Sequence, residues 1–193
     1  FDFGLRGQGK AGYFHDLLNS DGKVLGGLRS KPEISLVRKN ADMLYWMLKQ
    51  FMLLKVQNKA DEINPEWEKS IMRLADAFVN TWNKHGELGN YINVETGEVE
   101  VCNSTSGVMA VAGLALASEY YGKQEYLNIA EQIGDAYYKK YSLVGFTSGG
   151  CGDILQNADS ETSIAFLTSC NLLYELTLSL IHISEPTRLR RIS

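Results

Sequence analysis

Two segments of similar pattern decide the fold: EWEKSIMRLADAFVNTW at residues 66–82 and EYLNIAEQIGDAYYKKY at residues 125–141. They align without a gap, and aromatic residues occupy matching positions near both ends. In each segment the apolar residues recur at spacings of three and four, which predicts an amphipathic helix with one solvated face. The chain therefore contains an internal repeat whose unit includes one such helix.

A more apolar helix precedes each amphipathic one, and another follows the second. Residues 42–56 and 108–121 are apolar on almost every side, and residues 162–176 are similar but contain more small polar side chains. A helix without a polar face must be covered all round. The order predicts hairpins in which buried inner helices alternate with amphipathic outer helices. Tyr45 and Trp46, in the first inner helix, are expected in the core.

The connections between these helices alternate in length. Inner helices pass to outer helices through short turns at 58–65 and 122–124, whereas the return connections at 83–104 and 142–158 are long. Residues 1–40 look like another long connection. Asp-Gly and Thr-Gly pairs within the first two loops predict tight β-hairpin turns. Long structured loops often carry function, so one end of the molecule is expected to hold the site.

Composition narrows the range of partners. The net charge is -4, from 19 Lys and Arg against 23 Asp and Glu, without a basic run, which argues against nucleic acid. The longest apolar run, 108–117, is too short to cross a bilayer. Cys102, Cys151 and Cys170 lack metal-type spacing and form no disulfide framework. No cofactor or metal is expected, and oligomeric state and cellular location are left open.

The last sixteen residues, 178–193, resemble the in-frame translation of a transposase-type sequencing adapter followed by a barcode. They are excluded from fold reasoning, as any cloning scar would be. The expected domain is therefore 1–177, which retains only two histidines, His15 and His85.

The alternation of helices and loops resembles the (α/α)6 toroid of six-hairpin glycosidases, which include unsaturated glucuronyl hydrolases. N-acylglucosamine 2-epimerases share that architecture. Residues 1–177 correspond to roughly two and a half of its six hairpins, and residues 145–161 are similar to the joint between a loop and an inner helix. The resemblance implies an all-α, incomplete (α/α)6 toroid with short β-hairpin segments in its long loops. It also implies a substrate cleft where the inner helices begin.

Acidic residues near the starts of the inner helices are the expected catalytic groups. Glycoside hydrolysis uses one carboxylic acid as a proton donor and one carboxylate as base or nucleophile. Such residues also serve as helix N-caps or complement the helix dipole, so a purely structural role is the competing interpretation for each. Unsaturated glucuronyl hydrolases carry an Asp at an inner-helix start, and this resemblance gives a local hint for Asp42. The candidates, with the first two preferred, are Asp159, Asp153, Asp42 and Glu161.

Aromatic and polar residues in the long loops are the expected substrate contacts. Rings at the loop starts can stack on a sugar, although packing of the loops on the helices explains them equally well. Ser106 can contact a hydroxyl, although an N-cap role comes first. The Gly-rich stretch 149–152 lacks the Lys-Ser/Thr of a phosphate loop and fits either a plain turn or close backbone approach to a ligand. The expected substrate contacts are Tyr13, His15, Tyr91, Ser106 and Phe146.

Three functions from different classes remain open. The first is a glycoside hydrolase that acts on an oligo- or polysaccharide. The second is a sugar 2-epimerase, which would use histidines as acid and base. The third is a non-catalytic helical repeat scaffold that binds protein partners. Long loops confined to one end favour an enzyme, but fold alone does not set function. The sugar, the linkage and the stereochemical course are not defined by the sequence.

Overall fold

The computed structural model describes residues 1–26, 31–149 and 158–178. This part of the chain is mostly helical, with short antiparallel strands in the loops, so the expected all-α class is confirmed at that level. Of the adapter-like segment 178–193, Leu178 is described and residues 179–193 lie outside the described ranges. The α-helices are α1 (Val37–Val56), α2 (Pro65–His85), α3 (Met109–Tyr121), α4 (Gln124–Tyr137) and α5 (Ser160–Thr177).

The amphipathic repeat forms α2 and α4. Helix α2 begins where Asn64 accepts a hydrogen bond from the Glu66 N–H at 3.0 Å, with Pro65 in the first turn. It ends at Gly86, whose φ of 67° lets the chain leave the helix in the left-handed conformation. The apolar stripe of α2 is buried, including Phe78. The repeated pattern thus encodes two helices of one type.

Helix α3 is the centre of the core. Residues 109 to 117 are all buried, as the absence of a polar face predicts. Gly113 provides room for α1, because a Cβ at this position would lie 2.8 Å from side-chain atoms of Leu44. Helix α3 contacts α1, α4 and α5 extensively and α2 less so. The other helices are therefore arranged around it.

The three inner helices, α1, α3 and α5, run parallel. Val37 of α1 lies beside Gly107, and Leu44 of α1 lies beside Gly113. Helices α1 and α3 therefore run in the same direction. Ser169 of α5 donates to the Val108 carbonyl at 2.9 Å, at the start of α3, and farther along both helices a Cβ on Gly134 would lie 3.0 Å from Leu173 of α5 and 3.8 Å from Val111 of α3, so α5 and α3 run in the same direction. Because Ser169 is well inside α5, this helix begins more than two turns before α3. All three starts lie at one end, which we call the mouth.

The outer helices α2 and α4 also run parallel to each other. The Tyr126 hydroxyl donates to Asp76 Oδ1 at 2.5 Å, and Trp82 Nε1 donates to Gln132 Oε1 at 3.4 Å. At the end opposite the mouth, the Tyr121 hydroxyl donates to the carbonyl of Glu68 at 2.8 Å. The short turns therefore gather at that end, as the sequence predicts.

The long loops carry the strands. Both predicted hairpins form, with Gly22 and Gly97 at positive φ in their turns. A third strand, which the sequence pattern does not predict, pairs with the second hairpin and ties the first loop to the second. The strands are β1 (Leu17–Leu18), β2 (Val24–Leu25), β3 (Ile34–Leu36), β4 (Tyr91–Asn93) and β5 (Val99–Val101).

Large apolar side chains on α1 and α5 remain exposed. Tyr45 is buried as expected, but the core assignment of Trp46 is wrong, because 61% of this residue is exposed. Leu53 on α1, and Ile164 and Leu167 on α5, are also exposed. We call these surfaces the open flanks. Among the described residues, no helix combines the length and apolarity needed to span a membrane.

Candidate functional site

A buried arginine joins two carboxylates at the mouth. Arg38 lies in the first turn of α1 and is almost fully buried. Its Nε lies 2.7 Å from Asp42 Oδ1, and its Nη2 lies 3.5 Å from Glu161 Oε1 in the first turn of α5. The two acidic side chains keep 32% and 54% of their surface exposed. One guanidinium group thus brings together two of the predicted acids, each still accessible from solvent.

The backbone around Arg38 is fixed by neighbouring loops. The Val37 N–H donates to the carbonyl of Asn90 at 3.0 Å, and the Arg38 N–H donates to Ser106 Oγ at 3.2 Å. The first turn of a helix has N–H groups without intrahelical partners, so these contacts satisfy two of them. Ser106, a predicted substrate contact, is fully buried and supports α1 instead.

A second set of contacts ties the loop before α5 to the start of α3. Thr105 Oγ1 donates to the Ser148 carbonyl at 2.7 Å and accepts from the Ser148 N–H at 2.7 Å. Ser104 Oγ donates to the same carbonyl at 3.3 Å and accepts from the Ser106 N–H at 3.0 Å. The starts of α1 and α3 and the segment leading to α5 are thus connected through one hydroxyl-rich network.

Gly149 follows this network and approaches it closely. Its φ is 91°, and a Cβ there would lie 2.0 Å from Ser104 Oγ and 2.8 Å from Asn90 Oδ1. Only glycine fits both the backbone conformation and the space. The predicted close backbone approach therefore holds at Gly149, whereas residues 150–152 of the Gly-rich stretch lie outside the described residues.

Buried polar atoms without partners concentrate at the mouth. Within the described ranges, five such atoms are Arg38 Nη1, Asn90 Nδ2 and Oδ1, Ser148 Oγ and Thr162 Oγ1. A buried polar atom that lacks a hydrogen bond costs about 1 to 3 kcal/mol, so native proteins rarely leave several together. Each of these atoms is buried and makes no hydrogen bond within the described part of the chain.

Asp159, one of the two preferred catalytic residues, caps α5. Its Oδ1 accepts a hydrogen bond from the Thr162 N–H at 2.6 Å, which is the N-cap interaction. The structure thus gives Asp159 the structural role that competes with catalysis. The other preferred residue, Asp153, lies outside the described residues. The structure therefore brings together Asp42 and Glu161 rather than the preferred pair.

Two of the other predicted substrate contacts, His15 and Tyr13, have their partners elsewhere than at the carboxylate pair. His15 Nδ1 lies 2.6 Å from the Pro32 carbonyl, and its Nε2 lies 3.5 Å from Glu95 Oε1. Tyr13 is fully buried, and its hydroxyl donates to Thr81 Oγ1 at 2.9 Å. Burial raises the pKa of the Tyr13 hydroxyl well above its ordinary value. With no accessible ring face, Tyr13 packs the loop onto the helices.

The remaining two aromatic candidates differ in exposure. Tyr91 lies on β4 and packs with Ile34 and Leu36 of the neighbouring strand. Only 5% of Tyr91 is exposed, so its ring belongs to the small core beneath the sheet. Phe146 is 40% exposed. Of the predicted aromatic contacts, Phe146 alone retains a large accessible surface.

Two residues at the mouth were missed by the sequence analysis. Arg38 stands four residues before Asp42, a spacing that places both on one face of a helix. This spacing could have suggested the pair. Asn90 follows a glycine in a polar loop, and no local signal distinguishes it from other loop asparagines.

Comparisons with known proteins returned no relationship. No protein-family model matches the chain, and neither a curated protein nor a solved structure matches it significantly. Within residues 1–26, 31–149 and 158–178, no group of three His, Cys, Asp or Glu side chains is arranged to hold a metal ion.

Proposed function

We propose that the protein is a carbohydrate-active enzyme, a glycoside hydrolase whose cleft is the mouth. The observation that carries the proposal is the contact of Arg38 with both Asp42 and Glu161. Glycosidases place two carboxyl groups on either side of the scissile bond at separations of roughly 5 to 9.5 Å. Two carboxylates held by one guanidinium group are close enough for such paired chemistry.

The arrangement of helices supports an incomplete (α/α)6 toroid as the architecture. Three inner helices run parallel, two outer helices run parallel beside them, and the long loops gather at the mouth. A toroid needs inner helices that are parallel to one another and outer helices that are parallel to one another. The open flanks of α1 and α5 are the surfaces at which further hairpins of a toroid would pack.

The two carboxylates are suited to different roles. Asp42 accepts a hydrogen bond from the charged Arg38 guanidinium, whose Nε lies 2.7 Å from Asp42 Oδ1. We assign Asp42 as the base or nucleophile. Glu161 lies farther from the guanidinium, at 3.5 Å, and is more exposed. We assign Glu161 as the proton donor to the leaving oxygen.

Neutralising each carboxylate tests the proposal. Asp42→Asn and Glu161→Gln would be assayed against a panel of neutral and acidic oligosaccharides by release of reducing ends. Loss of a catalytic acid or base costs on the order of 100-fold or more in turnover. Glu175→Gln is the matched control for Glu161, because it is exposed on the same helix away from the mouth. Asp61→Asn, in the turn at the opposite end, is the control for Asp42.

Two results would reject the assignment. Activity that survives in both mouth variants would exclude the carboxylate pair. If Asp159→Asn loses activity while Asp42→Asn retains it, the catalytic role belongs to Asp159, the N-cap of α5, and not to Asp42. Equal losses in the control variants would show that the assay reports folding instead of chemistry.

A further inference from the structure

The two open flanks lie on the faces of α1 and α5 that point away from α3. Leu44 is buried beside Gly113 of α3, and Trp46, two residues later, is turned by about 200° around the axis of α1. On α5, Ser169 contacts the start of α3, and Leu167, two residues earlier, is turned by the same angle. Helix α3 therefore separates the two flanks, and a single copy of the chain does not bring them together.

Each flank exposes more than one large apolar side chain. On α1, Trp46 and Leu53 are seven residues apart, a spacing that places them on one face of the helix. On α5, Ile164 and Leu167 are three residues apart and also share a face. Single exposed apolar residues are common on protein surfaces, whereas neighbouring ones mark a surface that contacts a partner.

The exposed charges on α1 are all positive. The structure describes both α1 and α5 throughout, and the three exposed charged side chains of α1 are lysines. Lys39 and Lys49 are seven and three residues from Trp46 and share its face of the helix. Lys55 lies on another face, with its Nζ 3.7 Å from the centre of the Tyr120 ring. The α1 flank is thus apolar and positively charged.

The exposed charges on α5 are all negative. This helix contains no lysine or arginine, and its two acidic residues, Glu161 and Glu175, are both exposed. Glu161 contacts Arg38 at the mouth. Glu175 lies eight residues after Leu167, at the edge of the apolar stripe. The α5 flank is thus apolar and negatively charged, the complement of the α1 flank.

This complementarity selects one mode of association. Two α1 flanks would place lysines against lysines, and two α5 flanks would place glutamates against glutamates, and such pairings are unfavourable. We infer that the α1 flank of one copy of the chain binds the α5 flank of a second copy. A contact between two different faces is heterologous, so it leaves one further flank of each kind to close a ring or to continue the assembly. The inference does not depend on the hydrolase assignment.

Two charge variants test this pairing. Lys49→Glu gives the α1 flank a negative charge, and Asn171→Lys gives the α5 flank a positive charge four residues after Leu167. Sedimentation velocity over a concentration series gives the dissociation constant for self-association. Each variant should raise this constant by roughly threefold to tenfold at low ionic strength, because an attraction between exposed charges becomes a repulsion. In 1 M NaCl the differences should disappear.

An equimolar mixture of the two variants gives the sharpest test. In the mixture, the altered α1 flank of one variant meets the altered α5 flank of the other, and their charges are again opposite. The two unaltered flanks also remain complementary. The mixture should therefore associate with about the dissociation constant of the original chain. A mixture as weak as either variant alone, or weakening by only one of the two variants, would overturn the inference.

Two controls change the net charge away from the flanks. Lys10→Glu alters an exposed residue of the first loop, and Asn128→Lys alters an exposed residue of α4. Both should associate as the original chain does, and circular dichroism checks that every variant is folded. Equal weakening in the controls would show that net charge governs association and would overturn the inference. An original chain that stays monomeric at every concentration would overturn it as well, whatever the outcome of the hydrolase assays.

Discussion

Arg38 Nη2, from the first turn of α1, lies 3.5 Å from Glu161 Oε1, from the first turn of α5. Both helices pack against α3, so this ion pair bridges two helices across the start of a third. The contact depends on the early start of α5, which extends beyond α3 at the mouth. The same guanidinium also binds Asp42 within α1. One side chain thereby couples the geometry of the mouth to the packing of the inner helices.

Removal of Arg38 should destabilise the fold. Arg38→Met leaves two carboxylates without their shared cation, and breaking a buried pair typically costs about 3 to 5 kcal/mol. Because both carboxylates are about a third or more exposed, solvent screens them, and we expect a loss of roughly 1 to 2 kcal/mol in the free energy of unfolding. Urea denaturation measures this loss. Lys39→Met, which removes an exposed partner of Asp16, is the control, and an equal loss there would contradict the role of Arg38.

Two substitutions of Asp159, the N-cap of α5, should distinguish a structural role of this residue from a catalytic one. Asp159→Ala removes the acceptor for the Thr162 N–H and should lower stability by about 1 kcal/mol. Asp159→Asn keeps a good capping side chain and should be nearly neutral. Thermal melts of the two variants check this difference. If Asp159→Asn melts normally but loses turnover, Asp159 is a catalytic residue as well as a helix cap.

Substitution of Gly149 should disturb the mouth more than a matched glycine does. Gly145→Ala places a side chain at φ 74° with nothing within 4 Å, so it should cost only the backbone strain, roughly 1 to 2 kcal/mol. Gly149→Ala adds overlap with Ser104 Oγ, which should raise the cost by roughly 1 to 3 kcal/mol. The difference between the two variants in urea denaturation isolates the close approach. Equal losses of stability in Gly149→Ala and Gly145→Ala would show that Ser104 moves aside freely and would contradict the prediction.

The open flanks should make the 193-residue chain associate. Trp46 on α1 and Leu167 on α5 expose 61% and 56% of their surface, and apolar surfaces of this kind promote association. We expect the apparent mass in light scattering to rise with protein concentration. The double variant Trp46→Gln, Leu167→Gln should reduce that rise. Leu17→Gln, at an exposed position on β1, should not, and a monomer at all concentrations would contradict the expectation.

Cys170 should react slowly with alkylating reagents. Burial raises the pKa of its thiol to about 11, so at pH 8 only about one thiol in a thousand is ionised. Iodoacetamide followed by peptide mapping should show Cys170 modified at least about tenfold more slowly than the exposed Cys102. Because the pKa is raised, the reaction at Cys170 should accelerate as the pH rises toward 11. Equal rates at pH 8 would indicate that α5 opens readily.

The helices were the most predictable part of the molecule. Apolar spacing within 66–82 and 125–141 predicted α2 and α4, since a helix buried on one face records its period in the sequence. Trp46 does not follow this rule, because it lies on an inner helix and is exposed. An apolar residue on an inner helix indicates burial only where a neighbour covers it, and within the described residues α1 has no helix over that side.

The candidate site was predictable only in part. The parallel inner helices placed Asp42 and Glu161 near one another because their positions follow from helix starts. Asn90 could not be found in this way, since its importance depends on Gly149, a residue distant in sequence. Strand β3 was missed for a similar reason: its partner, β4, is supplied by a different loop.

The two-residue link between α3 and α4 restricts how the chain can change in length. Only Gly122 and Lys123 separate these helices. A single residue gained or lost there that was taken up by the first turn of α4 would turn its residues by about 100° about the helix axis and bring the buried stripe to the surface. The turn between β4 and β5 carries no such requirement, because a longer hairpin leaves both helical neighbours in place. Natural variants of different length should therefore differ at the strand hairpins and agree at Gly122.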